Sequence, residues 1–129
     1  TVLGDIKSDL YKKQVQHLRD LLNNGQNDAY KVEKLKLPAV TFCGVFTDLR
    51  RKENIKKYNE LIVIDIDKLT KEQLETVKEQ LQNDGYVLSF WLSPSSNGFK
   101  GLIPLKSNFE IQDINIFHKC AFACTGAAF

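Results

Sequence analysis

The sequence predicts an α+β fold, in which a helical and α/β N-terminal part precedes a unit ordered strand, helix, strand, strand, helix. Three observations carry this expectation. An apolar, β-branched run, Leu61-Ile62-Val63-Ile64, leads into two carboxylates, Asp65 and Asp67. An amphipathic helix with its own start signal follows directly, and beyond it two strand-like runs flank an Asn97-Gly98 pair.

Taken in order, Tyr11, Val15, Leu18 and Leu22 recur at i, i+4, i+7 and i+11 and line one face of a helix. Asn23-Asn24-Gly25 would end it. A shorter helix over 28–36 must stop before Leu37-Pro38, because the residue preceding proline disfavours helical backbone. Ala39 to Gly44 then reads as a short strand. The run from Leu61 to Asp67 has the pattern of a central strand covered on both faces, with its acids at the exposed end. Thr70 and Gln73 have capping-box spacing, Leu74, Val77 and Leu81 form an apolar stripe, and Gly85 is placed to stop the helix. Tyr86 to Leu92 and Lys100 to Leu105 read as two strands joined at Asn97-Gly98, a strong short-hairpin signal. Ile114, Phe117, Ala121 and Cys124 give a last helical stripe, with no clear strand after it. The result is a βαββα unit. With a closing strand it would be the ferredoxin-like or RRM-like βαββαβ arrangement, two crossover helices on one face of a four-stranded antiparallel sheet. The expectation is therefore an RRM-like unit truncated before its last strand.

A chain of 129 residues has the usual size of one domain. A single domain over 1–129 is expected, with 1–58 as the N-terminal α/β part and 59–129 as the RRM-like part. No apolar run approaches the ~20 residues that cross a bilayer, and the opening residues lack a basic start and apolar core, so a membrane role is excluded and a cytoplasmic setting expected. Three cysteines cannot all pair within one chain, and none stands in a CxxC spacing, which favours reduced thiols. The net charge of +2 is too small to signal a polyanion partner. The lysines and arginines are nonetheless concentrated before Asp65, either as solvated helix faces or as a basic surface.

Residues i and i+2 of a strand point to the same face, about 6–7 Å apart along the backbone, so Asp65 and Asp67 can converge on one site. Mg²⁺ or Mn²⁺ takes one or two such carboxylates together with substrate phosphate oxygens and water. The plainer reading is that the two acids only mark the strand's end. Two acids ending a buried strand are costly without partners, which favours the metal reading. The segment Ser93-Pro94-Ser95-Ser96-Asn97-Gly98-Phe99-Lys100 offers hydroxyls, backbone N–H groups beside a glycine, and one ammonium. Ser93, Ser95, Ser96, Gly98 and Lys100 are thus candidates to hold a triphosphate, against the simpler alternative of a hairpin turn. The two motifs reinforce each other, because in the βαββ order the first strand and the hairpin share a sheet. His118 does not share the face of Cys120 and Cys124, so no metal site is assigned there. Trp91, Phe90 and Tyr86 could stack on bases or fill the core.

The sequence Leu-Ile-Val-Ile-Asp65-Ile-Asp67, followed by a helix and then by Ser93-Pro-Ser-Ser-Asn-Gly98-Phe-Lys100, resembles the archaeo-eukaryotic primase, or prim-pol, superfamily. The stretch from Tyr30-Lys31 through Leu37-Pro38-Ala39-Val40-Thr41-Phe42-Cys43-Gly44 is similar to the VirE N-terminal-like domain of bacterial mobile-element and phage-type primase-helicase proteins, a likeness covering nearly the whole chain. The resemblance implies metal-dependent nucleotidyl transfer with Asp65, Asp67 and Lys100 as catalytic residues. It also implies nucleoside triphosphates and a DNA template as partners, and a helicase or other P-loop ATPase module in the same or a neighbouring protein. Two departures matter. Primases usually place histidine where this chain has Lys100, and a third carboxylate motif is expected on a strand after the last helix, for which Asp113 is a poor substitute. A non-catalytic nucleic-acid-binding or regulatory module of the same fold is the main alternative. A phosphatase of the haloacid dehalogenase class, whose motif is also a strand ending in two spaced acids, is a distant one.

Overall fold

The computed structural model describes residues 2–105. The stripe from Ile114 to Cys124 and Asp113 lie outside the described residues, as does the point where the unit was expected to stop short of a closing strand. Three helices come first, α1 (Val2–Lys7), α2 (Lys12–Asn23) and α3 (Asn27–Lys34). A hairpin of β1 (Gly44–Phe46) and β2 (Ile55–Tyr58) follows, then β3 (Leu61–Ile66), α4 (Lys71–Asn83), β4 (Ser89–Leu92) and β5 (Phe99–Pro104).

Helix α2 ends where its sequence places the stop. Gly25 adopts a φ of +72°, while its N–H donates to the Leu22 carbonyl and the Gln26 N–H to the Leu21 carbonyl. This pair of bonds around a left-handed glycine satisfies carbonyls that the helix end leaves open. The buried positions of α2 are Leu18 and Leu21, so the inward face is turned slightly from the Leu18–Leu22 line read in the sequence. Leu37, just beyond α3, is also buried.

The strand expected over Ala39 to Gly44 begins only at Gly44. The carbonyls of Phe42 and Cys43 are taken by Asn59, whose side-chain amide donates to the first at 3.1 Å and whose backbone N–H donates to the second at 3.0 Å. Phe42 and Cys43 can therefore bury their side chains in a turn without a strand partner. The later strand is likewise shorter than 86–92. The Asp84 carboxylate accepts from the Tyr86 N–H and the Asp84 carbonyl from the Val87 N–H, which holds a turn that delays β4 to Ser89.

Helix α4 has the predicted capping box, Thr70 accepting from the Gln73 N–H and Gln73 from the Thr70 N–H. The main sheet has the order β3-β5-β4, with both neighbouring pairs antiparallel. Strands β3 and β4 are thus parallel to each other with β5 between them, and α4 makes the crossover. This split β-α-β arrangement is consistent with an RRM-like architecture. Among the described residues β3 occupies one edge of the sheet rather than its centre.

Residues opposite one another in adjacent strands share a face. Val63 stands opposite Leu102, and with Phe42 these form the buried core, against which Leu3, Ile6, Val40, Leu61 and Trp91 pack. The N-terminal segments therefore cover this face. Farther along the same face comes a row formed by Asp65, Lys100 and Trp91. On the opposite face Phe90 and Phe99 meet edge to face at 5.7 Å.

The β4–β5 connection is not the two-residue turn that Asn97-Gly98 suggested. It runs from Ser93 to Gly98, closed by the Ser93 N–H donating to the Gly98 carbonyl, and the left-handed position falls at Ser96, with φ of 61°. Glycine is required at 98 for a different reason. A Cβ there would lie 2.1 Å from the Ile66 carbonyl oxygen and 3.0 Å from the Asp67 Cα. Gly98→Ala should accordingly cost about 2–3 kcal/mol in urea unfolding, the scale of forced overpacking. Gly85→Ala, where nothing lies within 4 Å, should stay within about 0.5 kcal/mol.

Candidate functional site

Two strands and one loop assemble the site. Asp65 occupies the penultimate position of β3, directly opposite Lys100 on β5. The Lys100 side chain is only 5% exposed, and its ammonium donates to Asp65 Oδ1 at 2.7 Å. A buried ammonium needs such a partner, because losing its water without compensation would be costly. Asp65 keeps its second oxygen and 24% side-chain exposure. Asp67 lies just past the strand and is exposed, with no hydrogen bond or ion pair among the described residues. Lys68 follows with φ of 61°, turning the chain away immediately after the second acid.

The serine loop is fixed against this end of β3 from two sides. Gly98 touches the backbone of Ile66 and Asp67, and the Leu69 N–H donates to the Asn97 carbonyl at 2.8 Å. Inside the loop, Ser93 and Ser95 share a hydroxyl hydrogen bond of 2.9 Å, and Ser95 donates to the Asn97 side-chain carbonyl. Ser93 is buried, whereas Ser95 and Ser96 are half-buried. Asp65, Asp67, Lys100 and the loop from Ser93 to Gly98 are thus brought together at one end of one sheet face.

Helix α3 adds Tyr30, which nothing in the sequence marked as a site residue. Its hydroxyl is hydrogen-bonded to Ser95, and it lies within electrostatic reach of Asp67 and Lys100. Burial raises its phenol above the ordinary value of 10.0; the Ser95 bond offsets part of the rise, Asp67 adds to it and Lys100 opposes it. Lys34, one turn along, holds its ammonium 5.8 Å from the Tyr30 ring centroid. Lys31 and Lys36 are instead paired with Asp28 and Glu33 at i,i+3 spacing. His17 is exposed, and no group of three or more His, Cys, Asp or Glu side chains suited to a metal occurs among the described residues. Cys43 is a buried free thiol, while Cys120, Cys124 and His118 lie outside the described residues.

Asp65 and Asp67 are hard oxygen donors of the kind Mg²⁺ and Mn²⁺ prefer, and they leave room for the phosphate and water oxygens those ions also take. The fit requires Asp65 to divide its oxygens between Lys100 and the ion. No described helix is long and apolar enough to cross a membrane.

The fold and site define an α+β domain with a two-carboxylate, one-lysine centre beside a serine-glycine loop. Residues 32–128 match the family described as BT4734-like, N-terminal domain, and the chain belongs to that family. The match covers most of the chain and agrees with the VirE N-terminal-like resemblance. Comparison with curated proteins and with solved structures finds no match.

Lys100→Met leaves Asp65 without its partner. It should destabilise the fold by about 2 kcal/mol, less than the ~3–5 kcal/mol of a fully buried pair because Asp65 still meets water. The double variant Lys100→Met/Asp65→Asn should recover part of that loss in a double-mutant cycle. Tyr30→Phe should cost about 1 kcal/mol near neutral pH through the lost Ser95 bond. A phenol that holds its proton more tightly when folded contributes stability below pH 10.0, and the contribution disappears as pH rises through the folded-state value. The stability gap between wild type and Tyr30→Phe should therefore narrow above pH 10.0 in pH-dependent urea titrations.

Proposed function

We propose that this domain is a metal-dependent nucleotidyltransferase module of primase-polymerase type, acting in replication of a mobile element or phage-type replicon. The observation that supports it best is the cross-strand placement of Asp65 opposite Lys100, with Gly98 locking the serine loop onto Ile66 and Asp67. Carboxylates, a cation and hydroxyls stand together there, the groups needed for a divalent metal and a triphosphate.

Asp65 and Asp67 would hold Mg²⁺ or Mn²⁺. When bound, such an ion activates an attacking hydroxyl and stabilises charge that develops on phosphate. Lys100 holds the Asp65 carboxylate in place in the free protein. An ammonium has three N–H donors and Asp65 Oδ1 uses one, so Lys100 retains capacity for a phosphate oxygen. Ser93, Ser95 and Ser96, with the backbone around Gly98, provide hydrogen bonds along the phosphates. In the free loop the Ser95 hydroxyl gives its one proton to Asn97 and Ser93 gives its own to Ser95, so both hydroxyls would turn from these partners to meet phosphate. Tyr30 closes the site from the helical side and fixes Ser95. Nucleoside triphosphates, single-stranded or primer-template DNA and a helicase-type ATPase module are the partners this reading requires.

A second reading, a nucleic-acid-binding or regulatory module without catalysis, draws support from the same Asp65–Lys100 pair, since a lysine already neutralises one of the two carboxylates. The phosphatase reading is set aside, because β3 pairs antiparallel with β5 whereas that fold uses a wound parallel sheet.

Template-dependent incorporation of labelled nucleotides with Mn²⁺ separates the remaining two. Wild-type protein should incorporate nucleotide, and Asp65→Asn and Asp67→Asn should each reduce incorporation to background while remaining folded by circular dichroism. A folded protein that incorporates nothing with any nucleotide or template, yet retains single strands on a gel, would establish the binding module instead.

A further inference from the structure

The lysines and arginines that precede Asp65 fall into two groups. On the helices, Lys12, Lys31 and Lys36 each pair with an acid three residues earlier, and Lys34 lies over the Tyr30 ring. On the β1–β2 hairpin, Arg50, Arg51, Lys52, Lys56 and Lys57 are all exposed, and none of their side chains has a hydrogen bond or ion pair among the described residues. Residues 44–58 set these five cations against two acids, Asp48 and Glu53, for a net charge of +3. The whole chain carries only +2, so everything outside the hairpin is slightly acidic.

The ribbon turns this charge outward by a specific device. Gly44 stands opposite Tyr58, Val45 opposite Lys57 and Phe46 opposite Ile55, a register that skips Lys56. Gly44, Phe46, Ile55 and Tyr58 are buried or half-buried, whereas Val45 and Lys57 on the other face are exposed. In an unbroken ladder Lys56, not Ile55, would face Phe46 on the inner side. The bulge removes it from that position, so two consecutive lysines both reach solvent, which alternation along a regular strand would not allow. The tip is also fixed. The Thr47 N–H donates to the Asn54 carbonyl, the Asn54 side-chain amide to the Leu49 carbonyl at 2.7 Å and the Asn54 N–H to the Arg51 carbonyl. Arg50 and Arg51 are thus carried on a closed turn whose backbone needs no ordering before they meet a partner.

Concentrated positive charge is what recognises a polyanion, and unpaired cations strung along a ribbon suit phosphates repeated along a strand. Val45 and Leu49 are the large apolar side chains that the ribbon exposes, too little area to enter a lipid surface, where binding grows with buried apolar area. Strand β2 runs through Asn59-Glu60 into β3, and Leu61 to Asp65 spans about 13 Å. A duplex rising about 3.4 Å per base pair covers that distance in roughly four.

We propose that the β1–β2 hairpin is a nucleic-acid contact, holding a sugar-phosphate backbone through Arg50, Arg51, Lys56 and Lys57 a few base pairs from the carboxylates. The choice of nucleic acid among polyanions rests on the nucleotidyltransferase reading, whereas the outward, unpaired cations stand without it. The backbone belongs either to a single strand or to a duplex.

The full chain, without divalent metal, is titrated into fluorescently labelled single-stranded and duplex DNA of one sequence from about 50 to 200 mM salt, and anisotropy is read. Each cation lost from a phosphate lowers the slope of log affinity against log salt by about 0.9 on duplex and about 0.7 on single strands. Lys56→Gln/Lys57→Gln and Arg50→Gln/Arg51→Gln should each lower it by about 1.4–1.8, and Arg50→Lys/Arg51→Lys should preserve it. Lys13→Gln/Lys78→Gln, which removes the same charge from exposed helix positions, should change it by less than about 0.5. The arm with the larger loss identifies the form of DNA that is held. Folded hairpin variants that bind as wild type does, an equal loss in Lys13→Gln/Lys78→Gln, wild-type protein that binds neither DNA, or binding to phosphatidylserine vesicles with none to DNA would each overturn the proposal. DNA binding that depends on the hairpin in a protein that incorporates no nucleotide removes the enzyme reading and leaves this one intact. Incorporation by wild type, with unchanged DNA binding in the hairpin variants, does the reverse.

Discussion

The ion pair between Asp65 and Lys100 is the constraint around which the rest of the site is arranged. It sits where the apolar face of the sheet ends, one cross-strand step beyond Val63 and Leu102, and Lys100 is almost fully enclosed. A lysine can be buried there only because a carboxylate faces it, and the carboxylate is there only because β3 and β5 pair in this one register. A slip of either strand by a single residue would turn its charged side chain to the opposite face, with Ile64, Phe99 and Phe90, and leave the other without its partner. The apolar pairs behind the ion pair fix the register, and the register in turn fixes the chemistry.

Some of this arrangement was open to reading from the residues alone. The run Leu61 to Ile66 and the Thr70/Gln73 cap are local signals, since β-branching and a side chain three residues from its backbone partner act within a few residues. The common location of Asp65, Asp67 and the serine loop also followed from the order of elements. What was not legible depends on tertiary contact. Asn97-Gly98 carries a strong turn signal, but its glycine is demanded by the Ile66 carbonyl, a residue more than thirty positions away. Likewise the strand at Ala39 to Gly44 is displaced by Asn59, whose claim on two carbonyls has no local signature. Tyr30 stands on a helix with no buried residue, and its part in the site depends entirely on how α3 lies against the loop.

The N-terminal helices therefore do more than cover the sheet. Leu3 and Ile6 complete the core, Tyr30 reaches the serine loop, and Arg19 lines one cavity with Trp91. The row from Asp65 through Lys100 to Trp91 is met by groups from the first part of the chain, Tyr30 near its acidic end and Arg19 beside Trp91. Residues 1–58 and the strands that follow are in this sense one chemical unit, although the sequence patterns of the two parts differ.

The loop from Ser93 to Gly98 is held at both ends and in its middle, by β4 and β5, by the Leu69 bond to Asn97 and by the seat of Gly98 on β3. Surface loops ordinarily absorb insertions and deletions at little cost. This one cannot, because a residue added or removed anywhere within it would shift Asn97 or Gly98 off its contact and unseat the start of α4 as well. Its length is therefore as constrained as its glycine, so a fixed six-residue spacing between the tryptophan strand and the lysine strand is a mark by which kindred sites should be recognised.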